Sequence, residues 1–403
     1  MKTILATTYA VNPYKGSEDG MGWNFVYQAA RYNRVIAVTR ENNRPAIERY
    51  MAEHPDPVYA NIRYLYYDLP KHLRWWKRGS RGAMLYYLLW QRGIVDFVRR
   101  QKLEFDIAHN LNFHNDWTPS RLWKLGKPFV WGPIGHHPRI PSIFNRTMPL
   151  ADRAKNAFTW SIKNYFWKWN GALRKTKEKA DYIWCMNDSV PDTLGLANQP
   201  HKVFPNVGNL DYGWSPEPPT GPPNILFAGR LVHLKGPDLA VEAFADYLKR
   251  HPESGATLTL VGKGPEKDRI DALVKKLGIN ESVRLIDWIE RDRLMEIMKS
   301  ASVFLFPSHE GAGMVVPEAL SFGVPVVTLE NCGPGRFVDP SCGVVVDGDS
   351  YEEVVGRLAD GLEKILHAGA GYQQMREAAR EKFLNRFHWD KKGEILQSIY
   401  ASV

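Results

Sequence analysis

The sequence predicts an α/β protein of two domains, each built on a parallel, doubly wound sheet. Three observations predict it. The 403-residue chain exceeds one ordinary domain, and its 44% hydrophobic content supports two cores. Short apolar runs bounded by turn residues alternate with segments of helical spacing through both halves. Between the halves lies Ser215-Pro-Glu-Pro-Pro-Thr-Gly-Pro-Pro223, five prolines in nine residues, which reads as an extended linker and hinge. The domains are therefore expected over 1–215 and 216–387.

In the first half, Lys2 to Thr8 reads as a strand, followed by a glycine-punctuated loop from Pro13 to Gly22. Trp23 to Tyr32 has helical spacing, and Arg34 to Thr39 is a second strand, so the chain opens β-loop-α-β. Asn61–Tyr67, Phe105–His109, Pro128–Trp131, Tyr182–Met186 and Lys202–Phe204 continue the sheet. The second half restarts the alternation. Strands are expected at Asn224–Ala228, Ala256–Val261, Val283–Ile286, Ser302–Pro307, Val324–Leu329 and Cys342–Val346. Helices fall between them at Pro237–Arg250, Lys267–Leu277 and Arg291–Lys299, with closing helices over Tyr351–His367 and Tyr372–Phe387.

Composition narrows the class. The longest apolar run, Ala83 to Trp90, is far below the roughly 20 residues of a bilayer span. The N-terminus reads as a strand rather than a signal peptide. Three cysteines offer neither a disulfide framework nor metal spacing, so a reducing cytoplasm is expected. The net charge of +9 is uneven: residues 1–215 carry 31 basic and 17 acidic residues, the remainder 22 and 27. The basic half is expected to face an anionic partner. Residues 71–100 and 153–179 each interleave eight basic residues with tryptophans. That mixture suits an anionic membrane surface; the competing readings are aromatics in a core beneath a solvated face, and single-stranded nucleic acid. The membrane is the partner expected, and nucleic acid is not.

Three constellations carry chemistry. Gly229-Arg-Leu-Val-His-Leu-Lys-Gly236 follows a strand and precedes a helix, so Arg230 and Lys235 can converge on a phosphate while glycines admit its approach. It lacks the ending of a Walker A loop. His309-Glu-Gly-Ala-Gly-Met-Val-Val-Pro-Glu318 is a strand, glycine loop and helix start, with Glu310 on the loop and Glu318 in the first turn. The third, Lys15 to Gly22, follows the first strand, where small residues border a ligand crevice. Asp347-Gly-Asp349 has the form of a metal-binding DxD, but Asp349 or Ser350 more simply caps the next helix.

Together these residues resemble the retaining, nucleotide-sugar-dependent glycosyltransferases of the GT-B class called family 4. The resemblance spans nearly the whole chain and is strongest over FAGRLVHLKG (227–236), LVGKGP (260–265), VRLIDW (283–288) and EGAGMVVPEALSFGVPVV (310–327). Pro205-Asn-Val-Gly208 and Arg386-Phe-His-Trp-Asp390 are similar to the family's segments before the linker and at the close. The resemblance implies two Rossmann-like domains facing across a cleft, with a C-terminal helix, about 388–403, crossing back to the N-terminal domain. It implies that Arg230 and Lys235 bind the donor diphosphate, that Glu318 accepts from the ribose, and that Glu310 contacts the sugar near the reacting carbon. Gly229 and Gly311, Ala312, Gly313, Met314 and Val315 would line the donor, Ile289 would border the base, and Gly16 and Ser17 would face phosphate or acceptor. Ala312 stands where the family often has phenylalanine, which widens the expected pocket. Family members often place a histidine near the reacting carbon; His109 and His114 both qualify, with His109 favoured, and His136 and His137 also stand at a strand end.

The function expected is retaining transfer of a sugar from a UDP- or GDP-linked donor to a hydroxyl acceptor, a lipid-linked or envelope glycan of exopolysaccharide or lipopolysaccharide type. Neither metal nor cofactor is implied. The expected location is the cytoplasm, with possible peripheral attachment to the inner face of the membrane. The alternatives are a sugar-nucleotide epimerase or phosphorylase on the same fold, and a non-catalytic membrane- or nucleic-acid-binding protein.

Overall fold

The computed structural model describes residues 1–403 except positions 78, 80, 81, 114 and 149. The chain forms two compact units. Met1–His136, Phe158–Asn206 and Trp389–Val403 make the first; His137–Ala157 and Val207–His388 make the second.

The first unit holds a seven-stranded sheet: β1 (Thr3–Thr7), β2 (Arg34–Thr39), β3 (Ile62–Tyr66), β4 (Ile107–Asn110), β5 (Phe129–Ile134), β6 (Tyr182–Cys185) and β7 (His201–Val203). Its order is β3-β2-β1-β4-β5-β6-β7, all pairs parallel. β1 lies centrally, with Ile4 opposite Val35 on one side and Ile107 on the other. Continuous apolar strands fit a sheet covered on both faces, and Ile4, Leu5, Ala6, Val35, Ala37 and Val38 are buried accordingly.

The second unit holds six parallel strands: β8 (Asn224–Ala228), β9 (Thr257–Val261), β10 (Val283–Ile286), β11 (Val303–Phe306), β12 (Val326–Leu329) and β13 (Gly343–Val346), ordered β10-β9-β8-β11-β12-β13. The order reverses direction between β8 and β11. In an open parallel sheet, ligands bind outside the carboxyl ends of the strands at such a switch point.

The elements follow the sequence with four differences. The helix expected at Trp23 begins at Ser17 and runs to Ala30. Gly20 and Gly22 lie inside it because the chain crosses them closely: added Cβ atoms would meet Lys15 O at 2.3 Å and Ala10 O at 2.0 Å. β5 continues through Gly132-Pro133 to Ile134. The closing helix Ala370–Lys382 gives way to a wider turn, Phe383–Phe387, before Trp389–Ala401. The unit boundary falls between Asn206 and Val207, ahead of the proline-rich stretch, and 137–157 join the second unit.

The reason is a set of side chains that fasten the stretch. Arg376, buried on the closing helix, donates to Ser215 O and Pro216 O, both at 2.8 Å, and its guanidinium lies 5.2 Å from the Trp214 ring. Arg380 bonds Asp211, and Asn209 N donates to Phe387 O at 2.9 Å. Residues 209–216 are thus tied down within the second unit.

Arg376→Ala should leave two carbonyls without their charged donor. The expected loss is about 3 kcal/mol of stability, measured by denaturant unfolding. Arg376→Lys, with a single point donor, should recover only part of it.

Candidate functional site

At the switch point of the second unit, β8 and β11 each release a glycine loop. The β8 loop turns through Gly229 and Arg230 to Lys235 and Gly236. Gly236 has φ +65°, and a Cβ there would stand 2.2 Å from Pro307 O at the end of β11. The two loops therefore touch through backbone. Leu234 O accepts from His309 N at 2.9 Å and from Ser308 Oγ at 3.3 Å. This approach delivers Lys235 Nζ to Glu310 Oε1 at 2.5 Å, with the ammonium 5.0 Å from the Phe306 ring. Arg230, at the same strand end, is exposed.

The loop carrying Gly311, Ala312 and Gly313 rests on a second turn. Asn331 donates to Ser308 O at 2.7 Å and accepts from Gly333 N and Gly335 N at 2.9 and 3.0 Å. A Cβ at Gly333 would meet Glu310 O at 2.5 Å. Met314 precedes the helix Val315–Ser321, whose first turn holds Glu318 and whose end is Gly323 at φ +67°. His309 is buried against Phe144, ring centroids 4.3 Å apart, and burial holds its imidazole down to about 3, hence neutral.

Glu318 is buried, and burial raises its carboxyl above the ordinary range while Arg291 opposes the rise. Arg291 NH2 meets Glu318 Oε1 at 2.7 Å, and Arg291 Nε donates to Tyr212 Oη at 3.0 Å. Burial lowers the arginine, but Glu318 and Tyr212 outweigh it and hold it cationic. Among the described residues Glu318 Oε2 takes no protein bond. Ile289 lies two residues before Arg291 in the same β10–helix loop, packed against the core. Gly229, Lys235, Glu310 and Gly313 thus come together at the switch point, while Glu318 is held by Arg291 on the helix that follows the Ile289 loop.

The first unit separates its expected residues. Gly16 and Ser17 are exposed at the start of helix Ser17–Ala30, Ser17 with φ 57°. His109 is a correction. It is fully buried, its Nδ1 meets Tyr400 Oη at 2.7 Å, its Nε2 meets Gly132 O at 2.6 Å, and burial pushes it down to about 3. Both ring nitrogens are engaged inside the fold, so His109 is a structural residue rather than a proton-transfer group. His114 lies outside the described residues. His136 is buried and bonded to Asp116 at 2.8 Å; His137 is half-buried. In Asp347-Gly-Asp349, Asp347 pairs with Arg357, and Ser350 Oγ caps the helix by accepting from Glu353 N at 3.2 Å.

Sequence reasoning missed three residues. Arg291 sits in a run of alternating charges that reads as a solvated face. Asn331 carries a usable signal, because Asn before Cys-Gly-Pro-Gly favours an Asx turn. Glu18, beside the expected Gly16 and Ser17, has its Oε2 buried without a partner. Burial pushes its carboxyl up to about 7, against a bond from the Phe113 backbone.

Residues 212–382 match the family described as Glycosyl transferases group 1. D-inositol 3-phosphate glycosyltransferase of Acidothermus cellulolyticus is 36% identical over 189 residues, 44% of this chain and 40% of that protein. The match therefore spans well under half of that relative. Glycogen synthase of Mycobacterium tuberculosis is 28% identical over 333 residues, 73% and 78% of the two chains. Anabaena HepE, solved in complex with UDP, superposes with a TM-score of 0.60 at 14% identity, over 100% of both chains. The two parallel-sheet, Rossmann-like units are those of the GT-B fold.

The Glu18 carboxyl gives a pH prediction. Its pKa is raised from 4.5 to about 7, so between those values the native state keeps a proton that the unfolded chain has lost. Stability from this group therefore falls as pH rises through that window. Glu18→Gln should match the native protein in Tm near pH 4 and exceed it near pH 8. Parallel Tm curves for the two would refute the assignment.

Proposed function

From residues 212–382 as a member of the glycosyl transferases group 1 family, we propose that this chain transfers a sugar from a nucleoside diphosphate donor to a hydroxyl acceptor. The observation that carries the reading is the Lys235–Glu310 pair at the β8–β11 switch point, with Arg230 exposed on the same loop. A departing diphosphate needs positive charge fixed in advance, and Lys235 and Arg230 supply it without a metal. Glu310 holds Lys235 in place until phosphate oxygens compete for it, and its carboxylate then faces the sugar. Glu318 keeps Oε2 for a ribose hydroxyl while Arg291 anchors Oε1. HepE was solved with UDP, which supports a uridine donor here. Same-face departure and attack, with retention of anomeric configuration, suits a site whose charged groups lie on the leaving-group side.

The acceptor half is proposed to work at an anionic membrane surface, on a lipid-linked or envelope glycan. Among the described residues no helix is long and apolar enough to cross a membrane. The basic, aromatic stretches divide on inspection. In 71–100, Tyr86, Tyr87 and Trp90 are core residues, while Trp75 is 77% exposed among the charges. The helix from Leu150 to Trp169 differs: Phe158, Tyr165 and Trp169 are 68%, 52% and 74% exposed. Their spacing sets them along one stripe, with Lys155 and Lys168 nearby, which suits an interfacial helix.

Four measurements test this. UDP should raise Tm, and Glu318→Ala should weaken UDP binding about tenfold by calorimetry. With the stabilising donor, Lys235→Ala should lower kcat/KM at least about 100-fold. If UDP, GDP and ADP all leave Tm unchanged, the donor assignment falls. Separately, the protein should float with anionic liposomes at low salt, and Phe158→Ser with Trp169→Ser should abolish flotation. Failure of the native protein to float would remove the membrane role and leave the donor site standing.

A further inference from the structure

The helix Pro237–Arg250 ends at His251, and the neighbouring helix Tyr351–Leu366 ends at His367. The two helices are packed together: Tyr351 Oη donates to Glu242 Oε1 at 3.0 Å near one end, and Arg250 bonds Asp360 at 2.5 Å near the other. At that second end three potential ligands converge. One atom each from His251, Glu363 and His367 lies within 4.8 Å of the others. Glu363 and His367 are four apart, so they share a helix face.

A plain account is that each histidine complements the negative end of its helix. The geometry adds something to that account: the imidazole centroids are 4.5 Å apart with the rings nearly perpendicular, and both lie beside the Glu363 carboxylate. His367 Nε2 has a hydrogen-bond contact with Tyr247 Oη at 3.4 Å, and His251 differs. His251 Nε2 is buried without a hydrogen-bond partner, although it lies 3.4 Å from Glu363 Oε2. A buried polar atom left unpaired calls for an explanation. Arg250 makes its 2.5 Å contacts to Asp246 and Asp360 and a longer ion pair, 3.8 Å, to Glu363 Oε2.

We infer that His251, Glu363 and His367 form a site for a divalent transition ion, with Zn²⁺ the best fit. Two imidazoles and one carboxylate favour such an ion over Mg²⁺ or Ca²⁺. Tetrahedral zinc, with bonds of about 2.0–2.2 Å, holds its donors roughly 3.4 Å apart, so small side-chain rotations close the site. His367 is exposed, which leaves the fourth position to water. The ion would clamp the last turns of two helices whose first turns follow β8 and β13. The 14-residue length of Pro237–Arg250 puts it about 20 Å from the Lys235–Glu310 pair, so it is a structural staple with no part in donor binding.

The test uses the full chain, stripped with a chelator and titrated with ZnCl₂ alone. One equivalent should bind and raise Tm. His251→Gln and His367→Gln should each weaken binding at least about tenfold, with UDP binding unchanged. Co²⁺ in place of zinc should give the visible absorption of a tetrahedral site in the native protein and lose it in either variant. The exposed position of His367 keeps the test decisive even if His251→Gln folds poorly. Absence of saturable zinc uptake, or equal uptake by native protein and His367→Gln, would falsify the site.

Discussion

The Lys235–Glu310 ion pair depends on how closely two loops can approach. Lys235 leaves β8 and Glu310 leaves β11, and their side chains meet only because Gly236 lies against Pro307 O and Gly333 against Glu310 O. A methyl group at either glycine would separate the loops by more than the 2.5 Å contact tolerates. Backbone contact thus fixes the charges before any ligand arrives, which is the condition for electrostatic stabilisation without reorganisation. Asn331 adds the third support by bonding both the Ser308 carbonyl and the turn beneath it.

Much of the second unit was legible in the sequence, and for a physical reason. Its central strands are buried on both faces, so apolar runs such as Asn224–Ala228 and Val303–Phe306 end sharply at turn residues. The helices Pro237–Arg250 and Arg291–Lys299 coincide with their expected limits. Motif spacing placed Arg230, Lys235, Glu310 and Glu318 at strand and helix ends, and the structure pairs Lys235 with Glu310. Arg291 was invisible because a side chain that pairs across elements leaves no local periodicity.

The first unit was read less well because its informative residues depend on long-range partners. His109 stands at a strand end like a catalytic histidine, but Tyr400, far along the chain, fills the space beside it. Helix Ser17–Ala30 contains glycines that suggest a loop, and only the crossing of residues 10 and 15 explains them. The same holds for the proline-rich stretch: composition suggests mobility, yet Arg376 and Arg380 tie its approach to the closing helix. Tryptophans and tyrosines between 71 and 100 could not be sorted into core and surface until the helix Ala83–Arg100 fixed which side faced inward.

The segment Trp389–Val403 belongs to the first unit although the whole of 207–388 precedes it. Trp389 packs on Phe25, buried Lys392 bonds Pro205 O, and Tyr400 closes over His109. A ribosome therefore finishes the second unit before it supplies the piece that seals the first. During synthesis the β1–β7 sheet must wait with His109 and the face beneath Trp389 uncovered, while the second unit is already free to fold. Chaperone protection, if the protein draws on it, is needed by the half that is made first and completed last.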